Sequence, residues 1–416
     1  MVRTSGLDPR NGVKTVPMIT DTKALEAFCL TCRQHDYVTV DTEFHRERTY
    51  YSELCLVQIA YPGDGPETAV LIDPLSPDLS LEPVYELFRD PDVIKVFHAA
   101  RQDLEIFFVE AGVFPKPFFD TQVAAMVCGF GEQVGYETLV RKLARAALDK
   151  TSRFTDWSRR PLSQKQQAYA VADVTHLRTV YEKLRDELAQ NGRAAWVEEE
   201  LALLTAPGTY EIAPRDSWRR IKTRNSSGSY LAIVRELAAF REEMARSRNV
   251  PRNRIIKDDA LLEVASMRPK SEGDLSKSRL LLREARKGDV ASGLIEAIRR
   301  GQAVKPEDQP EAPPVRQRHS GHEGLSELLR VLLKAKAAEA GVAARLIASS
   351  AEVDEIAGGQ TSDLPSLRGW RAEVFGNDAL RLCRGEVALS ANGSNVTIVP
   401  VPQPDPAAPD AETAAQ

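Results

Sequence analysis

Four carboxylates in three distant segments constrain this chain more than its composition does. Asp41 and Glu43 lie in the first segment and Asp103 in the second; Asp173 lies in the third, with Tyr169 four residues before it. The run Tyr37-Val38-Thr39-Val40-Asp41-Thr42-Glu43-Phe44 carries β-branched apolar residues at Val38 and Val40 and reads as a strand entering a core. Strand side chains repeat every second residue, so Asp41 and Glu43 share a face about 7 Å apart. Two carboxylates that close repel unless a cation lies between them. Asp92–His98 reads as a short buried strand, and the spacing of Leu104, Phe107 and Phe108 after it predicts a helix with Asp103 in its first turn. The helix dipole favours a carboxylate there. Gln167–Leu177 has no Gly or Pro and is dominated by helix formers, so Tyr169 and Asp173 fall at i and i+4 on one face. Each piece alone has a plain structural reading; only as a set do they suggest carboxylates gathered around metal ions.

The set resembles the DEDD 3′→5′ exonuclease superfamily: Asp41-x-Glu43, Asp103 and Tyr169-x-x-x-Asp173 match its three motifs. Its His-type branch needs a histidine five residues before Asp173, where Ala168 stands; Tyr169 fits the Tyr-type branch. The surrounding text is similar to the ribonuclease D family. The likeness lies in Asp41-Thr42-Glu43-Phe44 with Arg46 and Arg48-Thr49-Tyr50-Tyr51, in Leu54–Ala60 and in Phe119-Asp120-Thr121-Gln122. It continues in Thr155-Asp156-Trp157-Ser158 with Arg160-Pro161-Leu162-Ser163. It runs from about Met18 to Glu200 and less tightly to about Val399.

Read along its length, the chain divides into a flexible leader (1–15), an exonuclease domain (16–200), a connector (201–224), a helical HRDC-type domain (225–303), a linker (304–322), a second, divergent HRDC-like helical domain (323–399) and a disordered tail (400–416). Strands are expected at Tyr37–Glu43, Leu54–Tyr61, Ala69–Ile72, Val93–His98 and near Phe118–Thr121. Helices are expected to begin near Asp21, Leu81, Gln102, Thr121, Tyr136 and Ser163. The early strands are joined by short links and can pair antiparallel; the later ones alternate with helices, which favours parallel pairing. The fold class is α/β, with the ribonuclease-H-like mixed sheet and flanking helices that the resemblance implies, followed by all-α HRDC-type modules.

The net charge of −5 is unevenly spread. Ala213–Arg300 holds 21 Lys plus Arg against 12 Asp plus Glu, a net of +9, which suits an RNA-holding segment as well as a solvated helical one. Five cysteines in 416 residues suggest a reducing, cytoplasmic setting. Cys29-x-x-Cys32 has no second pair to complete a zinc site and reads as helix-borne thiols. No run of about 18 uncharged apolar residues appears, so no membrane span is expected. No Gly-x-x-x-x-Gly-Lys-Ser/Thr phosphate loop is present, which argues against a helicase.

The resemblance implies that Asp41, Glu43 and Asp173 hold one divalent cation and Asp41 with Asp103 a second. Mg²⁺ or Mn²⁺ suits oxygen ligands with room for water. Tyr169 would orient the attacking water and help deprotonate it. Phe44 would stack on the terminal base, while His98, Arg101 and Gln102 would touch sugar or phosphate; His98 reads equally as a satisfied core histidine. The expected activity is removal of 5′-mononucleotides from RNA 3′ ends by a monomer, with transfer RNA precursors as substrate. A proofreading-type DNA exonuclease and a non-catalytic RNA-binding scaffold are the alternatives.

Overall fold

A computed structural model describes residues 17–149, 151–211, 213–311 and 321–402. The leader expected at 1–15, the middle of the linker expected at 304–322 and all but the start of the tail expected at 400–416 lie outside the described residues. In chain order the elements are β1 (Met18–Ile19), α1 (Thr22–Cys32), β2 (Tyr37–His45), β3 (Glu53–Ala60), β4 (Ala69–Ile72), α2 (Glu82–Arg89), β5 (Ile94–Phe97), α3 (Arg101–Ala111) and β6 (Phe118–Asp120). Next come α4 (Thr121–Val127), α5 (Tyr136–Leu139), α6 (Gln164–Asn191), α7 (Ala194–Leu204), α8 (Gly228–Ser247), α9 (Arg252–Ile255), α10 (Asp258–Met267), α11 (Glu272–Leu275) and α12 (Gly288–Gln302). The chain closes with α13 (Glu323–Ala340), α14 (Ala344–Ile347), α15 (Ser350–Ala357), α16 (Gly369–Arg371), α17 (Asn377–Cys383), β7 (Val387–Asn392) and β8 (Asn395–Pro400). Among the described residues no helix is long and apolar enough to cross a membrane.

The chain forms two units interleaved in sequence. The first gathers the described parts of 1–121, 139–182 and 200–316; the second gathers those of 122–138, 183–199 and 317–416. The first unit holds a six-stranded sheet in the order β1-β4-β3-β2-β5-β6. β2, β3 and β4 pair antiparallel through short links, and β2, β5 and β6 pair parallel, with α2 and α3 in the connections. β1 adds two residues beside β4; it is too short for its sequence to announce. One face of the sheet, through Val38, Val40, Ile59 and Ile72, packs on Leu25 and Cys29 of α1, Leu87 and Phe88 of α2, and Leu104 and Phe107 of α3. The other, through Cys55, Leu56 and Leu71, packs on Trp157, Leu162 and Ala170, so α6 lies against it. Each large side chain so buried contributes about 1.5–3 kcal/mol. Cys29 and Cys32 are buried on α1, and desolvation pushes the Cys29 thiol up to about 12, which suits packing rather than reactivity.

The helical part of this unit has its own core, built on Leu231, Val234 and Leu237 of α8 with Leu261 and Val264 of α10 and Leu294 and Ile298 of α12. Gly301 lets α12 approach α8 closely: a Cβ there would lie 2.6 Å from the Ile233 Cα, and backbone cannot move aside. The stretch expected as a connector contributes Trp218 and Ile221 to this core. The loop that follows β2 is tied to α8. Asn249 Oδ1 accepts from the backbone N–H groups of Tyr50 (3.1 Å) and Tyr51 (3.2 Å). The Tyr50 hydroxyl and Arg252 both donate to Glu242, whose side chain is fully buried. Burial alone would raise Glu242, but Arg252, Tyr50 and Arg246 hold it below the usual carboxylate range.

In the second unit Leu329, Leu332 and Leu333 of α13 pack with Val353, Ile356, Trp370 and Phe375. Trp196 stacks on Trp370 at 4.3 Å, and Arg371 bridges to Glu199 at 2.9 Å. The expectation of helix to about Val399 needs correction: the unit ends in the β7–β8 hairpin. Its signal is the β-branched run Val396-Thr397-Ile398-Val399 and a two-residue loop whose first member, Gly393, has φ 61°. A two-residue hairpin loop with glycine in that place is the II′ turn that matches strand twist.

The Glu242 cluster gives a stability prediction. Glu242→Ala leaves two arginines without their buried partner and should cost about 3 kcal/mol. Tyr50→Phe removes one hydrogen bond and should cost about 1 kcal/mol. Urea unfolding of each variant and of the pair should show non-additive losses, because the groups share one network.

Candidate active site

β2 is the central source of the site. Its alternation sends Asp41 and Glu43 to one face, and a register shift between Glu43 and Phe44 in the pairing with β3 ends the regular ladder just past them. Such bulges re-aim side chains and are common beside active sites. Across that face runs α6, which carries Tyr169 and Asp173 one turn apart. Asp41, Glu43 and Asp173 each place a carboxylate oxygen within 4.8 Å of the others, a spacing that could hold a cation. Asp173 is buried, Asp41 and Glu43 half-buried.

Asp103 reaches the group from the first turn of α3. Thr42, between the two strand carboxylates, donates its hydroxyl to Asp103. Asp103 stands apart from the tight trio, yet its charge and that of Asp41 act on one another. Its position depends on Asp120, the last residue of β6. The Asp120 carboxylate accepts from the backbone N–H groups of Ala99 (3.0 Å) and Ala100 (2.8 Å), at the start of α3. Ala99 sits at φ 58°, a strained position for a residue with a Cβ, of the kind that clusters at functional sites. Thr121 braces the same turn by donating to the Phe97 carbonyl at 3.0 Å.

The electrostatics follow from crowding. Desolvation, then the neighbouring carboxylates, push Glu43 up to about 10. Burial and the charge of Asp173 hold Asp41 well above the usual carboxylate range, and burial and Asp41 do the same to Asp103. Asp173 is raised to about 7 by burial, with the Tyr169 hydroxyl and Arg153 acting in the opposite direction. Tyr169 is raised by burial and by Asp173, Glu43 and Asp41. Four carboxyls pushed toward their neutral forms by burial, three of them also by their neighbours, are the expected state of an acidic cluster without its counter-ion. Gln58 adds a second mark. It lies directly across from Asp41 in the ladder, is fully buried, and has no hydrogen-bond partner for either amide atom. An all-oxygen donor set with spare hydrogen-bonding capacity beside it fits a hydrated divalent cation.

Of the weaker sequence candidates, Phe44 is half-buried with its ring against the core of α1–α3. His98 is half-buried, 3.0 Å from the Thr121 hydroxyl, and burial pushes its ring toward the neutral form. Arg101 and Gln102 are exposed at the start of α3. Sequence reasoning missed Thr42, Asp120, Gln58 and Arg153. Thr42 alone carried a usable signal, since any residue between paired carboxylates on a strand faces whatever packs on the opposite side.

The 3'-5' exonuclease family matches residues 16–189, and the HRDC domain family matches residues 231–295. The chain is 60% identical over 383 residues to ribonuclease D of Jannaschia sp. (strain CCS1), covering 92% of this chain and 99% of that protein. It is 48% identical over 385 residues to ribonuclease D of Granulibacter bethesdensis, covering 92% and 96%. Among solved structures it is similar to Escherichia coli RNase D, described as an exoribonuclease involved in structured RNA processing. That likeness has a TM-score of 0.78 at 29% identity and covers 89% of this chain and 99% of the other. With these likenesses over most of its length, the chain belongs to the ribonuclease D family of metal-dependent 3′–5′ exoribonucleases.

Proposed function

We propose that this chain shortens RNA from the 3′ end one nucleotide at a time at the cluster of Asp41, Glu43, Asp103 and Asp173, with transfer RNA precursors as substrate. The observation that carries this reading is the meeting of Asp41, Glu43 and Asp173 within 4.8 Å, with Asp103 electrostatically joined through Asp41. Asp41, Glu43 and Asp173 would hold one divalent cation and Asp41 with Asp103 another, Mg²⁺ or Mn²⁺ by the hardness of the ligands. When bound, such cations supply positive charge at the scissile phosphate and ease ionisation of water. The residues supply the rest. Tyr169, one turn from Asp173 on α6, would orient the attacking water through its hydroxyl and help deprotonate it. His98, Arg101 and Gln102, at or just before the start of α3, would contact sugar or phosphate, and Phe44, next to Glu43, would meet the terminal nucleotide. The basic stretch 213–300 supports a hold on the RNA body. Five free cysteines support a reducing, cytoplasmic setting, and a monomer completes the reading.

Asp41→Asn should abolish Mg²⁺-dependent digestion of RNA while leaving circular dichroism unchanged. Full activity in this variant defeats the assignment. Tyr169→Phe should lower kcat about a hundredfold with KM little changed, the size of a lost orienting or proton-handling group. Comparing a 3′-extended transfer RNA, an unstructured RNA and a single-stranded DNA tests the substrate.

The carboxyls also predict a pH dependence of stability. Their folded values lie above the unfolded ones, about 4 for Asp and Glu. The metal-free fold is therefore favoured most in acid and loses that advantage as pH rises through Asp173, near 7, toward Glu43, near 10. With EDTA, the melting temperature should fall between pH 6 and 9, and Mg²⁺ should restore it. Asp41→Asn, which relieves repulsion, should stabilise the metal-free protein at pH 8 by about 1–2 kcal/mol. A flat profile with EDTA contradicts the electrostatic account.

A further inference from the structure

The loop before α6 contains a pair that no motif explains. Phe154 is 92% exposed, unusual for a large aromatic, and the Arg153 guanidinium lies 5.3 Å from its ring centroid. An exposed aromatic at a loop tip is ordinarily mobile and uninformative, but the stretch that follows this pair is fastened to the sheet and to α6. Before the pair, Ser152 is buried, and its carbonyl accepts from the Thr155 amide (3.2 Å) and hydroxyl (2.7 Å). After it, Trp157 is buried with its ring 6.1 Å from that of Tyr169. Arg160 clasps Asp73 with two bonds of 2.7 Å and donates to the Cys55 carbonyl at 2.7 Å. Asp156 reaches the end of β2, 3.0 Å from His45 Nε2, two residues beyond Glu43. The loop is thus held against Tyr169 on one side and the exit of β2 on the other, which sets residues 153 and 154 beside the acidic cluster. The charge of Arg153 acts on Glu43 and Asp173.

We propose that Arg153 and Phe154 form a clamp for single-stranded nucleic acid at the site, Phe154 stacking on a base next to the scissile phosphate and Arg153 neutralising a phosphate there. This rests on the nuclease reading above and adds to it the residues that hold the strand end. The chemistry is that of single-strand binding: an aromatic face accepts any base, and a guanidinium beside it pairs with the backbone. Phe44 has its ring packed on the core, whereas the Phe154 ring stands open to a base. A clamp of this kind recognises unpaired nucleotides without reading their sequence. It therefore selects for a frayed or extended 3′ end rather than for a base.

The test uses the full chain and a short single-stranded RNA with 2-aminopurine near its 3′ end. Stacking on Phe154 should quench the probe, read in the Asp41→Asn background so that no digestion intervenes. Phe154→Ala should abolish the quench and, in the otherwise wild-type chain, raise KM about tenfold with a smaller effect on kcat, since a stacked base is worth about a factor of ten or more. Phe154→Trp should restore both. Arg153→Gln should lower the salt dependence of binding by about 0.7 in the log–log slope, one phosphate contact on a single strand. Unchanged quench and KM in Phe154→Ala overturn the clamp while leaving the nuclease intact. Intact quench in a chain that digests no RNA leaves the clamp standing and removes the proposed activity. Phe154 is almost wholly exposed, so misfolding does not confuse the result.

Discussion

Mutual repulsion of like charges is the constraint around which the catalytic part of this chain is built. Asp41, Glu43 and Asp173 are brought within 4.8 Å although each would sit more comfortably alone in water. Nothing local favours that arrangement. It is imposed by packing: Val38 and Val40 anchor β2 on one side, and Ala170 and Val174 seat α6 on the other. Thr39 adds a bond of 2.8 Å from its hydroxyl to the Val174 carbonyl, pinning the helix to the strand at the residue next to Asp173. The apolar contacts carry the cost of the acidic group, which is why a ligand charge removed there is expected to stabilise the fold and end its activity.

The fourth carboxylate shows a different solution. Asp103 does not lie on the sheet and so cannot be positioned by strand alternation. Its helix begins immediately after a turn, and the turn is fixed by Asp120 from the neighbouring strand. Two backbone donors at the start of α3, which would otherwise seek water, are satisfied by one buried carboxylate. That bond holds Ala99 in its unfavourable backbone conformation. Asp120 therefore acts on the site through the geometry of this turn as well as through its charge on Asp103, and the Phe119-Asp120-Thr121 segment acquires a physical reason for its place in the chain.

What the sequence disclosed and what it hid divide along the range of the interaction. Strand alternation put Asp41 and Glu43 on one face, and helical spacing put Tyr169 beside Asp173; both hold, because each depends on backbone period alone. The switch from antiparallel to parallel pairing was legible from link lengths, whereas the strand order, with β1 added beside β4, was not. The Tyr50–Glu242–Arg252 cluster was not: Tyr50 lies 192 residues from Glu242, and Glu242 looks like any other helix glutamate. Gln58 reads as a polar residue in a strand, and only its register opposite Asp41 gives it meaning. The β7–β8 hairpin was legible in principle, since Asn392-Gly393 precedes a β-branched run, but the helical pattern before it was extended past its end.

Arg153 and Phe154 illustrate a harder limit. A loop has no period, so a residue in it carries no signal of which way it faces. Its anchors are dispersed: Asp73 follows β4, Cys55 lies in β3, Tyr169 in α6 and His45 at the end of β2. Each is unremarkable in its own segment. Together they hold an irregular stretch as a wall beside the acidic cluster. A stretch anchored in this way can leave an aromatic ring in water, because ordering it on binding costs less conformational entropy than on a free loop. An exposed phenylalanine on a mobile loop would be a liability, whereas on this one it is a surface prepared for a base.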